Sequence, residues 1–213
     1  MIKVERLNIG MPVSRELSGK DFTTGIMKQP VSGPLRLTRL GFEGDGVGDL
    51  KHHGGTDKAV CVYGVEQAAY WAGRLGRDLG AAPFGENLSV TGMSESEISI
   101  GDTFRLGSAT VQVSQPRQPC RTLAARHGIA DFVKQVVESG RTGFYLRVLT
   151  EGEVRAGDML DLTERHPLGV TVDFANRILH RDRNDRAGIE RVLAVDALSA
   201  SWRESFNKLL SAL

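Results

Sequence analysis

The sequence predicts a mainly β fold with peripheral helices over residues 1–165, followed by a small all-α, three-helix unit over residues 166–213. Three observations predict it. Short segments alternating apolar and polar residues recur as far as Leu162, with the period of a half-buried strand. Glycine supplies 25 of 213 residues, against a usual share of about 7%, and many of these glycines fall between Gly41 and Gly55. Such glycines suit a β-barrel whose loops turn sharply or approach a ligand closely. Beyond Arg165-His166-Pro167 the apolar spacing changes to that of amphipathic helices.

In chain order, Ile2-Lys3-Val4 and Leu35 to Thr38 alternate and read as strands, and Ala59 to Tyr63 reads as a buried one. Glu66 to Leu75 carries helical spacing through Ala69, Tyr70 and Ala72. Ile100-Gly101-Asp102 and Ala156-Gly157-Asp158 each form a Gly-Asp turn that opens an alternating strand. Between them lie a strand from Ala109 to Ser114 and a helix from Ala130 to Val137. The last unit has three apolar sets: Ala175, Ile178 and Leu179; Ile189, Val192 and Leu193; then Trp202, Phe206, Leu209 and Leu213. Breaks fall at Asn184-Asp185 and from Asp196 to Ser201, and Ser201 with Glu204 matches a capping box. Fewer than about 50 residues make a marginal core alone, so this unit is expected to pack on the barrel or on a partner chain.

The formal net charge of +1 excludes a general nucleic-acid or membrane-surface role, because no excess of Lys and Arg meets either polyanion. No apolar run approaches the roughly 20 residues needed to cross a bilayer. The start, Met1 to Arg6, reads as a strand and lacks the apolar stretch of a signal peptide. With 2 cysteines there is no disulfide framework, and a reducing cytoplasm is the expected location.

Two stretches carry the chemistry. The segment from Gly44 to Lys58 is polar and glycine-rich, and holds His52, His53, Gly54, Gly55, Lys51 and Lys58. Cations and exposed backbone N–H groups on one loop suit an anion. It does not end in the Gly-Lys-Ser/Thr of a P-loop. Zinc is a poor fit, because the adjacent histidines of an extended segment point apart and no third ligand is suitably spaced. The second stretch is Gln115-Pro116-Arg117-Gln118-Pro119-Cys120-Arg121, where two prolines hold a rigid turn after a strand. Flanking Arg117 and Arg121, with a helix start at Thr122, are expected to lower the Cys120 pKa and expose a thiolate. Cys61, inside an apolar strand, reads as an inert core residue. Weaker signals are the Phe84-Gly85-Glu86-Asn87-Leu88 turn and Arg141, a cation between glycines before a strand.

Together these residues resemble the MOSC family, the domain related to the C-terminal part of molybdenum-cofactor sulfurases. The resemblance rests on Gly44-Asp45, His53-Gly54-Gly55-x-Asp57-Lys58-Ala59, Phe84 to Leu88, Gly101-Asp102 and Gln115-Pro116-Arg117-x-Pro119-Cys120. It covers roughly residues 1–165, while residues 171–213 resemble the three-helix appendage of the stand-alone bacterial YiiM-like branch.

The resemblance implies a closed or nearly closed β-barrel that binds molybdenum cofactor (molybdopterin). Cys120 is the implied catalytic residue, as metal ligand or as carrier of sulfur for the metal. Cofactor contacts are implied at His53, Gly54, Gly55, Asp57, Lys58, Glu86, Asn87, Gln115, Arg117 and Arg141. The implied activity is reduction of a small N-hydroxylated base or amine, with electrons from a separate donor protein. Substrate selection then falls to the barrel mouth, the C-terminal helices or the second copy of a homodimer. The alternative is a non-catalytic sulfur or cofactor carrier that uses Cys120. A metal-free thiol enzyme ranks third, since Cys120 has no Cys-x-x-Cys partner and no His/Asp pairing is visible by spacing.

Overall fold

The computed structural model describes residues 1–213, with the Lys51 side chain outside what is described. Its strands are β1 (Ile2–Ile9), β2 (Val13–Leu17), β3 (Lys20–Thr24), β4 (Gln29–Pro30), β5 (Leu35–Thr38), β6 (Gly41–Phe42) and β7 (Val60–Gly64). After these come β8 (Leu88–Thr91), β9 (Thr103–Leu106), β10 (Ala109–Pro116), β11 (Phe144–Thr150), β12 (Gly152–Val154) and β13 (Met159–Glu164). The helices are α1 (Leu50–His53), α2 (Val65–Leu75), α3 (Arg121–His127), α4 (Phe132–Ser139), α5 (Val172–His180), α6 (Arg186–Leu193) and α7 (Ala200–Ser211).

Seven strands close a barrel in the order β13-β9-β10-β11-β7-β8-β1, and β1 returns to β13 through Ile2 opposite Leu160. Closure leaves no open edge among these seven. The β7–β8 pair is parallel, bridged by α2, and the other barrel pairs are antiparallel. Strand alternation decides what fills the interior. Val60 and Val62 of β7 join Val4, Leu88, Val90, Phe104, Val111, Val113, Phe144 and Leu146 in the core. Cys61 and Tyr63 therefore stand on the outer face of β7. That face is buried too, because Tyr63 packs with Trp71 of α2, Leu123 of α3, Phe132 and Val136 of α4, and Phe84.

The three C-terminal helices pack on the barrel of the same chain. Ile178, Ile189, Val192, Trp202 and Phe206 form a second core that includes Ile100 from the barrel. Backbone bonds seal the joint: Ile100 N donates to Val170 O at 2.9 Å, Val172 N to Ile98 O at 2.8 Å, and Ser199 N to Ser114 O at 3.0 Å. The cap of α7 differs from the sequence expectation. Ser199, not Ser201, accepts from Trp202 N, and Glu204 pairs with Lys208. Ser199 holds the extended backbone that a cap needs, which leaves Ser201 inside the first turn.

Two further features depart from expectation. The β2–β3 hairpin was not legible, because its strands are largely exposed and carry no buried face. Its turn places Ser18 and Gly19 at φ +51 and +73, as a two-residue hairpin turn requires. The histidines expected in an extended segment lie on the helical turn α1, capped by the Asp49 side chain accepting from His52 N.

Candidate functional site

Cys120 occupies the cap position of α3, half-buried, with an extended backbone at φ −123 and ψ 170. The turn that delivers it leaves β10 at Pro116, and Arg117 N donates to Gly143 O at 3.0 Å, which tethers the turn to the mouth of β11. His53, arriving from α1, faces the thiol as its hydrogen-bond partner. Burial alone pushes the Cys120 thiol up. The His53 hydrogen bond and the Arg117 and His53 charges outweigh it and bring the pKa down to about 6. The side chain is thus mostly thiolate at neutral pH. Arg121, expected to share this work, is exposed at the start of α3 and is not among the main groups that set the thiol.

Arg117 is 5% exposed. One of its terminal nitrogens, Nη2, donates to Phe84 O at 2.9 Å, and the guanidinium lies 5.8 Å from the Phe84 ring. The other, Nη1, is buried with no hydrogen-bond partner among the described residues. No carboxylate pairs with Arg117 among the described residues. A buried cation without a counter-charge is costly, so the Cys120 thiolate beside it is a stabilising neighbour.

Tyr145, which the sequence reading missed, belongs to the same cluster. It sits on β11 directly opposite Cys61 of β7 and Gln115 of β10, and the Arg117 charge acts on its phenol. Burial holds its phenol far above the ordinary tyrosine range, so it keeps its proton. Cys61 is fully enclosed; burial raises its thiol to about 11, in agreement with an inert core residue. The alternation of Phe144, Tyr145 and Leu146 puts Tyr145 on the outer face, but only strand pairing reveals that this face carries Cys120's neighbours.

The remaining predicted residues divide by place. Gly54 and Gly55 follow His53; Gly55, at φ +97, faces open space. By contrast, Gly48 lies so close to Thr23 O that a Cβ would come within 1.9 Å, so this glycine serves hairpin packing and not a ligand. Lys58 Nζ donates to His52 O at 2.7 Å, and burial lowers its pKa. Asp57 takes two bonds from Arg147 through Oδ1 and one from Ala200 N through Oδ2. Gln115, 1% exposed, donates to Pro116 O and accepts from the Ser201 hydroxyl. These three brace the site.

Glu86 and Asn87 make their hydrogen bonds within the protein. Glu86 accepts from Phe84 N and the Ser89 hydroxyl, and burial raises its pKa. Asn87 accepts from Cys61 N and donates to Asn8 O and to Asp45, which is itself paired with buried Lys28. Arg141 stacks on Tyr70 with its guanidinium 4.4 Å from the ring, and its charge acts on Glu95. It is not among the main groups acting on Cys120. Cys120, His53 and Arg117 are thus the predicted residues that the fold brings together.

Residues 49–161 match the MOSC domain, and residues 170–212 match the YiiM-like, 3-alpha helix domain. The chain is 52% identical over 202 residues to YflK of Bacillus subtilis (strain 168), spanning 95% of this chain and 91% of that protein. It is 35% identical over 153 residues to a protein named Reductase from Gibberella moniliformis, spanning 69% of this chain and 27% of that much longer protein. The crystal structure of YiiM from Geobacillus stearothermophilus matches with a TM-score of 0.84 at 36% identity, over 99% of this chain and 100% of that one. This chain therefore belongs to the MOSC family, with the C-terminal three-helix domain of its YiiM-like members.

Proposed function

We propose that the chain binds molybdenum cofactor through Cys120 and reduces small N-hydroxylated bases or amines. The observation that carries this reading is a thiol held as thiolate at neutral pH by His53 and by a buried Arg117 whose Nη1 has no partner. The residues suit the group on chemical grounds. A soft thiolate is a fitting ligand for a metal already bound by dithiolene sulfurs. The free Nη1 of Arg117, the N–H groups of Gly54 and Gly55, and Lys58 are donors for an anionic cofactor. When bound, the cofactor supplies two-electron oxygen-atom chemistry.

The chain's own part is to present Cys120 deprotonated, orient its sulfur with His53, and shield the site with the buried Arg117–Tyr145 layer. Reduction of a hydroxylamine takes two electrons and two protons and releases one amine and one water. The electrons come from a separate donor protein. The Gibberella relative named Reductase supports an oxidoreductase role. Two free cysteines, and no helix long and apolar enough to cross a membrane among the described residues, fit a reducing, cytoplasmic setting.

The experiment is turnover of an N-hydroxylated base by metal-loaded protein supplied with a chemical reductant. The reading expects one amine per two electrons, and loss of activity in Cys120→Ala. A fully active Cys120→Ala variant overturns it. The Cys120–His53 pair also favours a second reading, a nucleophilic thiolate that carries sulfur; a persulfide on Cys120 without turnover would decide for it.

A further inference from the structure

The β2–β3 hairpin bridges the two elements that carry the site. Its strands pair from Val13 opposite Thr24 to Leu17 opposite Lys20. On the outer edge of β3, the Thr23 carbonyl lies against Gly48, immediately ahead of α1. At the turn, the Ser18 hydroxyl donates to Ala125 O at 2.9 Å on α3, the helix that Cys120 caps. Arg126 of the same helix donates to Ile26 O at 2.6 Å, just beyond β3. At the helical rise per residue, Ala125 lies only about 8 Å along α3 from Cys120. The ribbon thus spans the gap between α1 and α3 beside the cysteine.

Strand alternation gives the ribbon two unlike faces. Ser14, Glu16, Asp21 and Thr23 stand together on one, and all four are exposed. On the other, Leu17, Phe22 and Thr24 are half-buried, so this face is the one turned toward the protein. Phe22 nevertheless packs against none of the three hydrophobic cores. No aromatic ring and no cation stacks on it among the described residues. Arg15 stands directly opposite Phe22 on the same face and has no carboxylate partner among the described residues. An aromatic ring outside any core takes a flat heterocycle by stacking, and a guanidinium donates to the acceptor atoms on that heterocycle's edge.

We propose that the β2–β3 hairpin selects the substrate, with Phe22 stacking on the planar ring of an N-hydroxylated base and Arg15 donating to that ring's acceptor atoms. This rests on the activity proposed above and narrows it from bases or amines to flat heterocyclic bases. A small aliphatic hydroxylamine has no ring to stack, so the hairpin discriminates against it by binding. Phe22 and Arg15 hold the substrate and take no part in the reduction.

The test compares an N-hydroxylated purine with N-methylhydroxylamine, using the full, metal-loaded chain and a chemical reductant. Phe22→Ala should raise KM for the purine by about 5- to 150-fold, the range for one lost base–aromatic stack, and leave kcat unchanged. Its kcat/KM for N-methylhydroxylamine should stay at the native level, and Phe22→Trp should keep the native preference for the purine. Equilibrium dialysis of the purine should show the same loss of affinity in Phe22→Ala, and this readout needs no turnover. A native chain that binds the purine through Phe22 but reduces neither compound overturns the activity and leaves the platform standing. A folded Phe22→Ala chain with native affinity for the purine, or a native chain that does not bind it, overturns the platform. Equal losses for both compounds together with lost molybdenum overturn it too, because they assign the ring to the cofactor's pterin. If Phe22→Ala does not fold, Arg15→Ala at the exposed position opposite decides by the same split between the two compounds.

Discussion

Replacing His53 by Ala removes the strongest influence that lowers the Cys120 thiol, together with one of the two cations acting on it. Burial then opposes ionisation with only Arg117 and the start of α3 against it. The native thiol lies at about 6, against 9.0 for an unperturbed cysteine. Loss of the hydrogen bond and one charge should return roughly one to two units of that difference. At pH 7 the thiolate fraction would fall from about nine-tenths to between about one half and one tenth. The assay is the rate of alkylation of Cys120 against pH, read by mass spectrometry of the peptide. A midpoint that stays near the native one after His53→Ala would refute the Cys–His pair.

The same shift links pH to stability. Folding favours the thiolate, so this contribution is full above the unfolded value of 9.0 and is lost as pH falls to about 6. Three units correspond to about 4 kcal/mol, to be sought as a stability difference between the native chain and Cys120→Ala over that window.

Three other outcomes are expected. Arg117→Met should raise the Cys120 midpoint, because it removes the buried cation beside the thiolate; an unchanged alkylation midpoint would contradict this. Ile100→Ala should cost about 2–5 kcal/mol, and because Ile100 is shared by the barrel and the helical core, calorimetry should still show one transition. Gly48→Ala forces a Cβ against Thr23 O and should cost about 1–3 kcal/mol, with hydrogen exchange rising in the β2–β3 hairpin.

What was legible depended on how local the signal is. The cysteine turn could be read because its prolines, its cations and the helix start lie within a few residues of each other. The barrel strands and the three terminal helices were visible in their periods, and Asp185 marked its break by capping α6. The influence of His53 on Cys120 was not, since the two residues come from segments far apart in the chain, and spacing carries no trace of it. Asp57 enters as a cofactor contact through the resemblance alone, and only the fold shows that Arg147 and the start of α7 hold its carboxylate. Glu86 and Asn87 looked available for a ligand because a turn sequence does not show that Ser89, Asn8 and Asp45 meet them first. The β2–β3 hairpin left no alternation because neither of its faces is buried.

The most direct test of the central claim, that Cys120 is a metal ligand, is the molybdenum content of protein purified from a cofactor-competent host. The account predicts near-stoichiometric molybdenum in the native chain and its loss in Cys120→Ala. A native chain without molybdenum, or a Cys120→Ala chain that holds as much, would contradict it.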